Sequence, residues 1–343
     1  MSLSNDLMDN DEQSPTPRRR KKHRKGLIAL GIAGTLLLVA VIAVGAYFAN
    51  LAHNFDAGTQ KFNNAMPADD DDRPSETGSY NVLMLGSDSR KGEDDEAKVS
   101  GERADTIMLL HVPADGGQAY VISIMRDTWV DIPGHGQAKI NAALDDGGIP
   151  LEVKTIENLL NTRIDNVVGI NFEGFRDLTN ALGGVTVDVP VGFTNDHGET
   201  FEQGPQKMNG DRALTFVRER YSFTDGDYQR VRDQRAYMRG VLKEIGDPQT
   251  LANPAKVNDL VKEFSPYMQV DDSMTASRAA KIATKIGPSG LRNMKMMTLP
   301  NSGTGWSPDG QSIVNVDQNA TDNLSKAMEN GTMEDFVKTA DTD

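Results

Sequence analysis

A chain of 343 residues with no cysteine has no disulfide, no thiol nucleophile and no Cys-ligated metal. Its net charge of −14, from 50 acidic residues against 36 Lys and Arg, argues against a nucleic-acid partner. The length allows one large domain or two modest ones, and no repeat of roughly 20–50 residues points to a solenoid.

Residues 1–26 read as a polar cytoplasmic tail that closes on the basic run Arg18–Lys25. Leu27–Ala49 supplies 23 apolar or small uncharged residues, enough at about 1.5 Å per residue to cross a hydrocarbon core of roughly 30 Å. This predicts one membrane helix. The basic run before it and Asp69–Asp72 beyond it place the N-terminus in the cytoplasm and the remainder outside the cell membrane. A cleaved signal peptide is the weaker reading, since its apolar core is about 7–15 residues. Residues 50–79 are polar and read as an extracellular stalk. One domain is expected over 80–335, because no Pro/Gly-rich break divides it.

Within that domain, Tyr80–Leu85 predicts a buried strand, and Thr106–Val112 with Ala119–Met125 a hairpin about Pro113–Gly117. Helical patterns follow over Ile140–Asp145, Leu151–Asn161 and Gly174–Leu182, interleaved with strands near Val167–Phe172 and Val185–Val189. Met208–Val217 is a short helix or strand. A long helix spans Asp227–Ile245, with further helices over Pro254–Phe264, Met274–Ile286 and Asp317–Asn330 and strands near Met294–Leu299 and Gln311–Val316. The fold class is α/β, a single three-layer-like domain with a mixed central sheet flanked by helices.

Val217–Arg235 crowds Arg218, Arg220, Arg230, Arg232 and Arg235 into an otherwise acidic chain. Exposed ion pairs contribute only about 0–1 kcal/mol each, so stability is a poor reason for such a cluster. Guanidinium forks match phosphate oxygens, and a helix N-terminus adds partial positive charge. Arg230 and Gln234, one turn apart, border the apolar stripe, whereas Arg232 lies about 200° from Arg230 and faces away. The competing reading is a solvated helix paired with Glu219, Asp225, Asp227 and Asp233.

A second group sits at strand ends: Asp88, Arg103, Asp105 and the Arg126–Asp127 pair. If the second strand runs antiparallel to both neighbours, all five share one rim. Carboxylates beside guanidiniums suit a hard cation with phosphate, making Asp88 and Asp105 candidate metal ligands. Lys139 and Asn141 add a donor group, although a helix start alone explains Asn141. The five histidines show no metal-ligand spacing, and no G-x-S-x-G elbow is present. Val82, Met84, Phe172, Phe175 and Leu178 line an apolar channel or belong to ordinary core.

The motifs Gly86–Arg90, Arg103–Met108, Ser123–Trp129, Lys139–Ala143 and 217–235, in this order and spacing, resemble the LytR-CpsA-Psr family over most of the domain. The resemblance implies a membrane-anchored transferase that moves a glycopolymer from a polyprenyl-pyrophosphate carrier onto peptidoglycan. It implies Mg²⁺, or Mn²⁺ in its place, on Asp88 and Asp105. It places Arg90, Arg103, Arg126, Lys139, Arg218, Arg220, Arg230 and Gln234 about the pyrophosphate, with Arg126, Arg103 and Asp105 nearest the chemistry. Asp105 is metal ligand, base or both. Met125 stands where a proline is common, and Arg235 where a second glutamine often follows Gln234. A receptor for anionic wall polymer or lipid pyrophosphate would use the arginines without catalysis, and a lipid-pyrophosphate hydrolase would release free polymer.

Overall fold

A computed structural model describes residues 42–62, 64–68, 73–87 and 104–340. The chain divides into two units, Met1–Asn50 and Leu51–Asp343. Residues 42–50 of the first are helical. Most of the membrane helix expected over 27–49 lies outside the described residues, among which no helix is long and apolar enough to cross a membrane.

The second unit opens with helical residues 51–58 (α1) and the short strand β1 (Gln60–Lys61). Next come β2 (Tyr80–Ser87), β3 (Ala104–Val112), β4 (Tyr120–Ile124), β5 (Thr128–Ile132), β6 (Gly136–Lys139), α2 (Ala142–Leu160), β7 (Asn166–Asn171) and α3 (Phe172–Ala181). Strands β8 (Val185–Val189), β9 (Phe193–Thr194), β10 (Thr200–Phe201) and β11 (Gly204–Met208) lead to α4 (Gly210–Arg218) and α5 (Asp227–Ile245). The chain continues through α6 (Pro248–Leu251), α7 (Pro254–Phe264), β12 (Met268–Val270), α8 (Ala276–Arg292), β13 (Lys295–Thr298), β14 (Asn301–Trp306), β15 (Ser312–Val316), α9 (Gln318–Asn330) and α10 (Met333–Thr339).

The central sheet is mixed, in the order β1-β12-β7-β2-β3-β4-β13. Its middle strands are apolar along almost every residue because both faces are covered. Leu83, Leu85, Ile107, Leu109, Ile122 and Ile124 pack against Val153, Ile156 and Leu160 of α2 and Leu324 and Met328 of α9. On the other face Val82 and Val112 meet Ile282 and Ile286 of α8, while Met108, Val121 and Met296 meet Met238 and Leu242 of α5. A third apolar cluster joins β8, α4 and α5 through Val185, Val187, Phe216, Tyr237 and Val241.

Several local differences from the sequence reading have physical causes. Phe172 begins α3 instead of ending a strand, because the Asn171 side chain accepts from Gly174 N at 2.8 Å and caps the helix. The segment 210–218 is a helix, capped in the same way by Asn209. Strand β8 pairs with β11 outside the central sheet. The segment expected as a stalk is partly built into the domain: β1 pairs with β12, and Arg73 forks onto the buried Glu157 at 2.7 and 3.0 Å. A separate sheet, β14-β15-β5-β6, was not expected. Its β5–β6 hairpin is announced by alternating Trp129–Ile132 and the turn Pro133-Gly134.

Candidate functional site

Strand β3 runs antiparallel to both β2 and β4, as the rim argument requires. Ile107 pairs with Ile124, so two residues further out Asp105 faces Arg126. The Arg126 Nη1 donates to Asp105 Oδ1 at 2.7 Å. The turn carrying Arg126 and Asp127 is tied at three points: Thr128 N to Met125 O at 2.9 Å, Asn141 N to Arg126 O at 3.3 Å, and Val314 N to Asp127 O at 2.9 Å. Trp129 pairs with Lys139 across β5 and β6, which brings Lys139 Nζ to 3.1 Å from Asp127 Oδ1.

The opposite wall comes from the start of α5. Glu219 Oε1 accepts from the backbone amides of Arg220, Tyr221 and Ser222 at 2.8, 2.7 and 3.1 Å and so shapes the loop that presents Arg220. Gly226, with φ at 40°, turns the chain into the helix, where L side chains are disfavoured. Asp227 then stands in the first turn. Arg230 Nη2 lies 3.2 Å and Arg220 Nη1 4.0 Å from its Oδ1, and Arg126 Nε 3.9 Å from its Oδ2.

Asp127 and Asp227 flank the same guanidinium, Arg126 Nε lying 4.0 Å from Asp127 Oδ2 and 3.9 Å from Asp227 Oδ2. Burial raises both carboxyls. At Asp127 it is outweighed by hydrogen bonds from Asp227 and Lys139 and by the charges of Lys139 and Arg126, which hold the group below its ordinary range. At Asp227 burial wins, Arg230 opposing it and Asp127 adding to it, so its carboxyl lies above its ordinary range. Among the described residues the four cations Arg126, Lys139, Arg220 and Arg230 meet three carboxyl groups, those of Asp105, Asp127 and Asp227. The Nε atoms of Arg126 and Arg230 are buried without a hydrogen-bond partner among the described residues. This surplus of positive charge with unused donors is equipped to bind an oxyanion.

Other expected site residues are placed differently. Asp88, Arg90 and Arg103 lie outside the described residues. Arg218 is exposed and stacks its guanidinium 4.3 Å from the Phe172 ring centroid. Gln234 Nε2 donates to Val217 O at 3.4 Å, tying α5 to α4. Arg232 turns away to Gln229 and Asp225. Arg235 is buried and donates to Thr298 Oγ1 at 3.1 Å. Val82 and Leu178 fill separate cores, while Met84 lies in the methionine-rich seam with Met238 and Met294. Among the described residues no group of three or more Asp, Glu or His is placed to hold a metal. Asp227 was visible in the sequence only as a counter-ion, because nothing local reveals that β4 and α5 meet.

The model of the LytR_cpsA_psr family matches residues 47–330. A polyisoprenyl-teichoic acid–peptidoglycan teichoic acid transferase TagU of Enterococcus faecalis is 33% identical over 252 residues, 73% of this chain and 79% of that relative. A transferase of the same name from Bacillus anthracis is 34% identical over 221 residues, 63% of this chain and 69% of its own length. The solved LytR-Csp2A-Psr enzyme from Actinomyces oris superposes with a TM-score of 0.62 at 23% identity, covering 79% of this chain and 96% of that one, and shares the fold. With the family match spanning the sheet, both walls of the arginine site and α9, the chain belongs to the LytR-CpsA-Psr family.

Proposed function

We propose that this protein transfers a glycopolymer from a polyprenyl-pyrophosphate carrier to a hydroxyl of peptidoglycan, outside the cell membrane and anchored to it by residues 27–49. The observation that carries the reading is the convergence of Arg126, Lys139, Arg220 and Arg230 on three partly exposed carboxyl groups, those of Asp105, Asp127 and Asp227, with Nε donors left over for phosphate. The activity for which the Enterococcus faecalis relative is named supports the donor and acceptor classes. The acceptor oxygen attacks the glycopolymer-side phosphorus, and polyprenyl phosphate departs. Preorganised guanidiniums stabilise the charge that builds on the phosphoryl oxygens, the main catalytic task in such transfers. The lipid would lie along Met84, Met238, Leu242 and Met294, whose unbranched thioethers adapt to an apolar chain.

Of the two candidate cation ligands, Asp105 lies among the described residues and Asp88 outside them. Asp105 commits Oδ1 to Arg126, leaving its other oxygen, and Mg²⁺ is commonly held by one or two carboxylates with waters and phosphate completing its shell. Asp105, with Asp88, would hold it, and when bound it supplies neutralising charge to the pyrophosphate. The test is transfer from a synthetic lipid-pyrophosphate glycan to peptidoglycan, with and without Mg²⁺. Arg126→Ala is expected to lower the rate by about 10²–10³-fold, while Arg239→Ala, exposed and far along α5, stays within about twofold. Undiminished transfer by Arg126→Ala sinks the assignment. Consumption of donor without acceptor identifies a hydrolase, and binding without consumption a receptor.

A further inference from the structure

The methionine-rich seam between α5 and the sheet does not close inside the protein. At Leu242 and Met294 it opens into a hollow of about 600 Å³ framed by the last turns of α5 and α8 and the start of β13. Leu242, Leu291 and Met294, each half-buried, and the buried Met296 supply its apolar lining. Lys243, Arg292 and Lys295, all exposed, supply its charge, and no carboxylate lines it. None of these three cations has an ion pair or a side-chain hydrogen bond among the described residues.

The neighbouring sequence carries the same bias. The chain as a whole has 50 acidic residues against 36 Lys and Arg, yet from Ser273 to Pro308 it holds Arg278, Lys281, Lys285, Arg292 and Lys295 and no Asp or Glu. Internal contacts account for two of them: Arg278 Nη2 lies 3.5 Å from Asp165 Oδ1, and Lys285 Nζ donates to Gly78 O at 2.7 Å. A helix C-terminus favours a cation, which suits Lys243 and Arg292 taken singly. It does not call for Lys295, which opens a strand, nor for a hollow lined by no carboxylate. The charge of Lys295 is felt by Glu334, but that group's Oε1 is held by Lys338 Nζ at 2.8 Å.

We propose that this face docks on an anionic bilayer surface, with Lys243, Arg292 and Lys295 on headgroup phosphates and the apolar lining of the hollow against the hydrocarbon beneath them. Cations alone would suit any polyanion. Cations around a half-buried Leu and Met lining match a charged headgroup layer over acyl chains. Each Lys or Arg near such a surface strengthens attachment about fivefold, and three together on the order of 100-fold. The docking itself stands apart from the transfer reading, whereas its consequence for catalysis rests on it. Leu242 and Met294 belong both to the lipid path and to the hollow, so a polyprenyl tail bound in the seam meets the bilayer where it leaves the protein.

The test uses the full chain, which has no native cysteine, with an environment-sensitive nitrobenzoxadiazole label at Asn293→Cys, an exposed position in the hollow. The protein is reconstituted in vesicles of phosphatidylcholine with phosphatidylglycerol and in vesicles of phosphatidylcholine alone. A blue shift of the label, and its quenching by lipid brominated along the acyl chain, are expected in the anionic vesicles only. Both signals should vanish in about 1 M salt, where charges act over only about 3 Å, and in the triple variant Lys243→Glu, Arg292→Glu, Lys295→Glu. The triple variant Lys243→Arg, Arg292→Lys, Lys295→Arg keeps the charge and should keep both signals. A label at Ser302→Cys, exposed on β14, should give neither. The acidic triple variant should also raise KM for a long-chain polyprenyl-pyrophosphate glycan in anionic vesicles about 10-fold or more. Equal signals in the two kinds of vesicle, or signals that survive the charge reversal, overturn the docking. An unchanged KM overturns the delivery of the tail. Absence of transfer by the wild-type protein, with the label shifted, overturns the transfer reading and leaves the docking standing.

Discussion

Glu152 is fully buried in α2, and burial pushes its carboxyl up to about 8, a backbone contact at Leu144 offsetting only part of the shift. The unfolded chain holds the same group near 4.5. Folding therefore retains a proton that the unfolded state releases between these values. Its contribution is fully present below about 4.5 and is lost as pH rises through about 8. Glu152→Met, similar in length and free of the carboxyl, should flatten this dependence and raise the melting temperature at pH 8 by roughly 5 °C or more. Thermal unfolding at pH 5 and pH 8 measures it, and an equal gain at both values would refute the account. His111 behaves in the complementary sense: burial first, then Lys285, lowers its pKa to about 4, and the neutral ring bonds Asn81 Oδ1 through Nδ1 at 2.7 Å. It is a core residue apart from the site, its Nε2 buried without a hydrogen-bond partner among the described residues.

At the scale of elements, α5 connects the core to the chemistry. Its apolar stripe packs on β8 and on the sheet, while its first turn supplies Asp227 and Arg230. Gly240 permits the close approach to β8: an added Cβ would lie 2.6 Å from Thr186 O and 2.7 Å from Val185 Cγ1. Alanine is the better helix former by about 1 kcal/mol, yet here the clash with backbone dominates. Gly240→Ala should destabilise by about 1–3 kcal/mol in urea unfolding, and a stabilised variant would contradict the packing. Helix α2 shows the reverse relation. Gly147 and Gly148 break it at non-helical angles, and the two helical patterns read on either side of them are both present.

For the whole molecule the proposed membrane topology rests on the distribution of charge along the sequence and on no tertiary contact. The positive-inside rule reads only the basic run, the apolar segment and the acidic far side. The absence of native cysteine makes a clean test possible. In intact cells a membrane-impermeant maleimide should label Ser75→Cys, which is exposed, and should label Ser14→Cys only after lysis. The opposite pattern would invert the orientation. Hydrophobic period and helix-capping residues are local properties, so α5, α7, α9 and five of the seven strands of the central sheet, β2, β3, β4, β7 and β13, were legible as elements with nearly their observed bounds. So was the clustering of arginine at the start of α5, because surplus like charge within a few residues needs no fold to be noticed. The convergence of Asp127 and Asp227 on Arg126, the burial of Arg235 against Thr298 and the stacking of Arg218 on Phe172 were not legible. Each joins residues whose separation in sequence is closed only when β4, β13, α3, α4 and α5 pack, and it is that packing which turns a basic stretch and a strand-end Arg-Asp pair into two walls of one site.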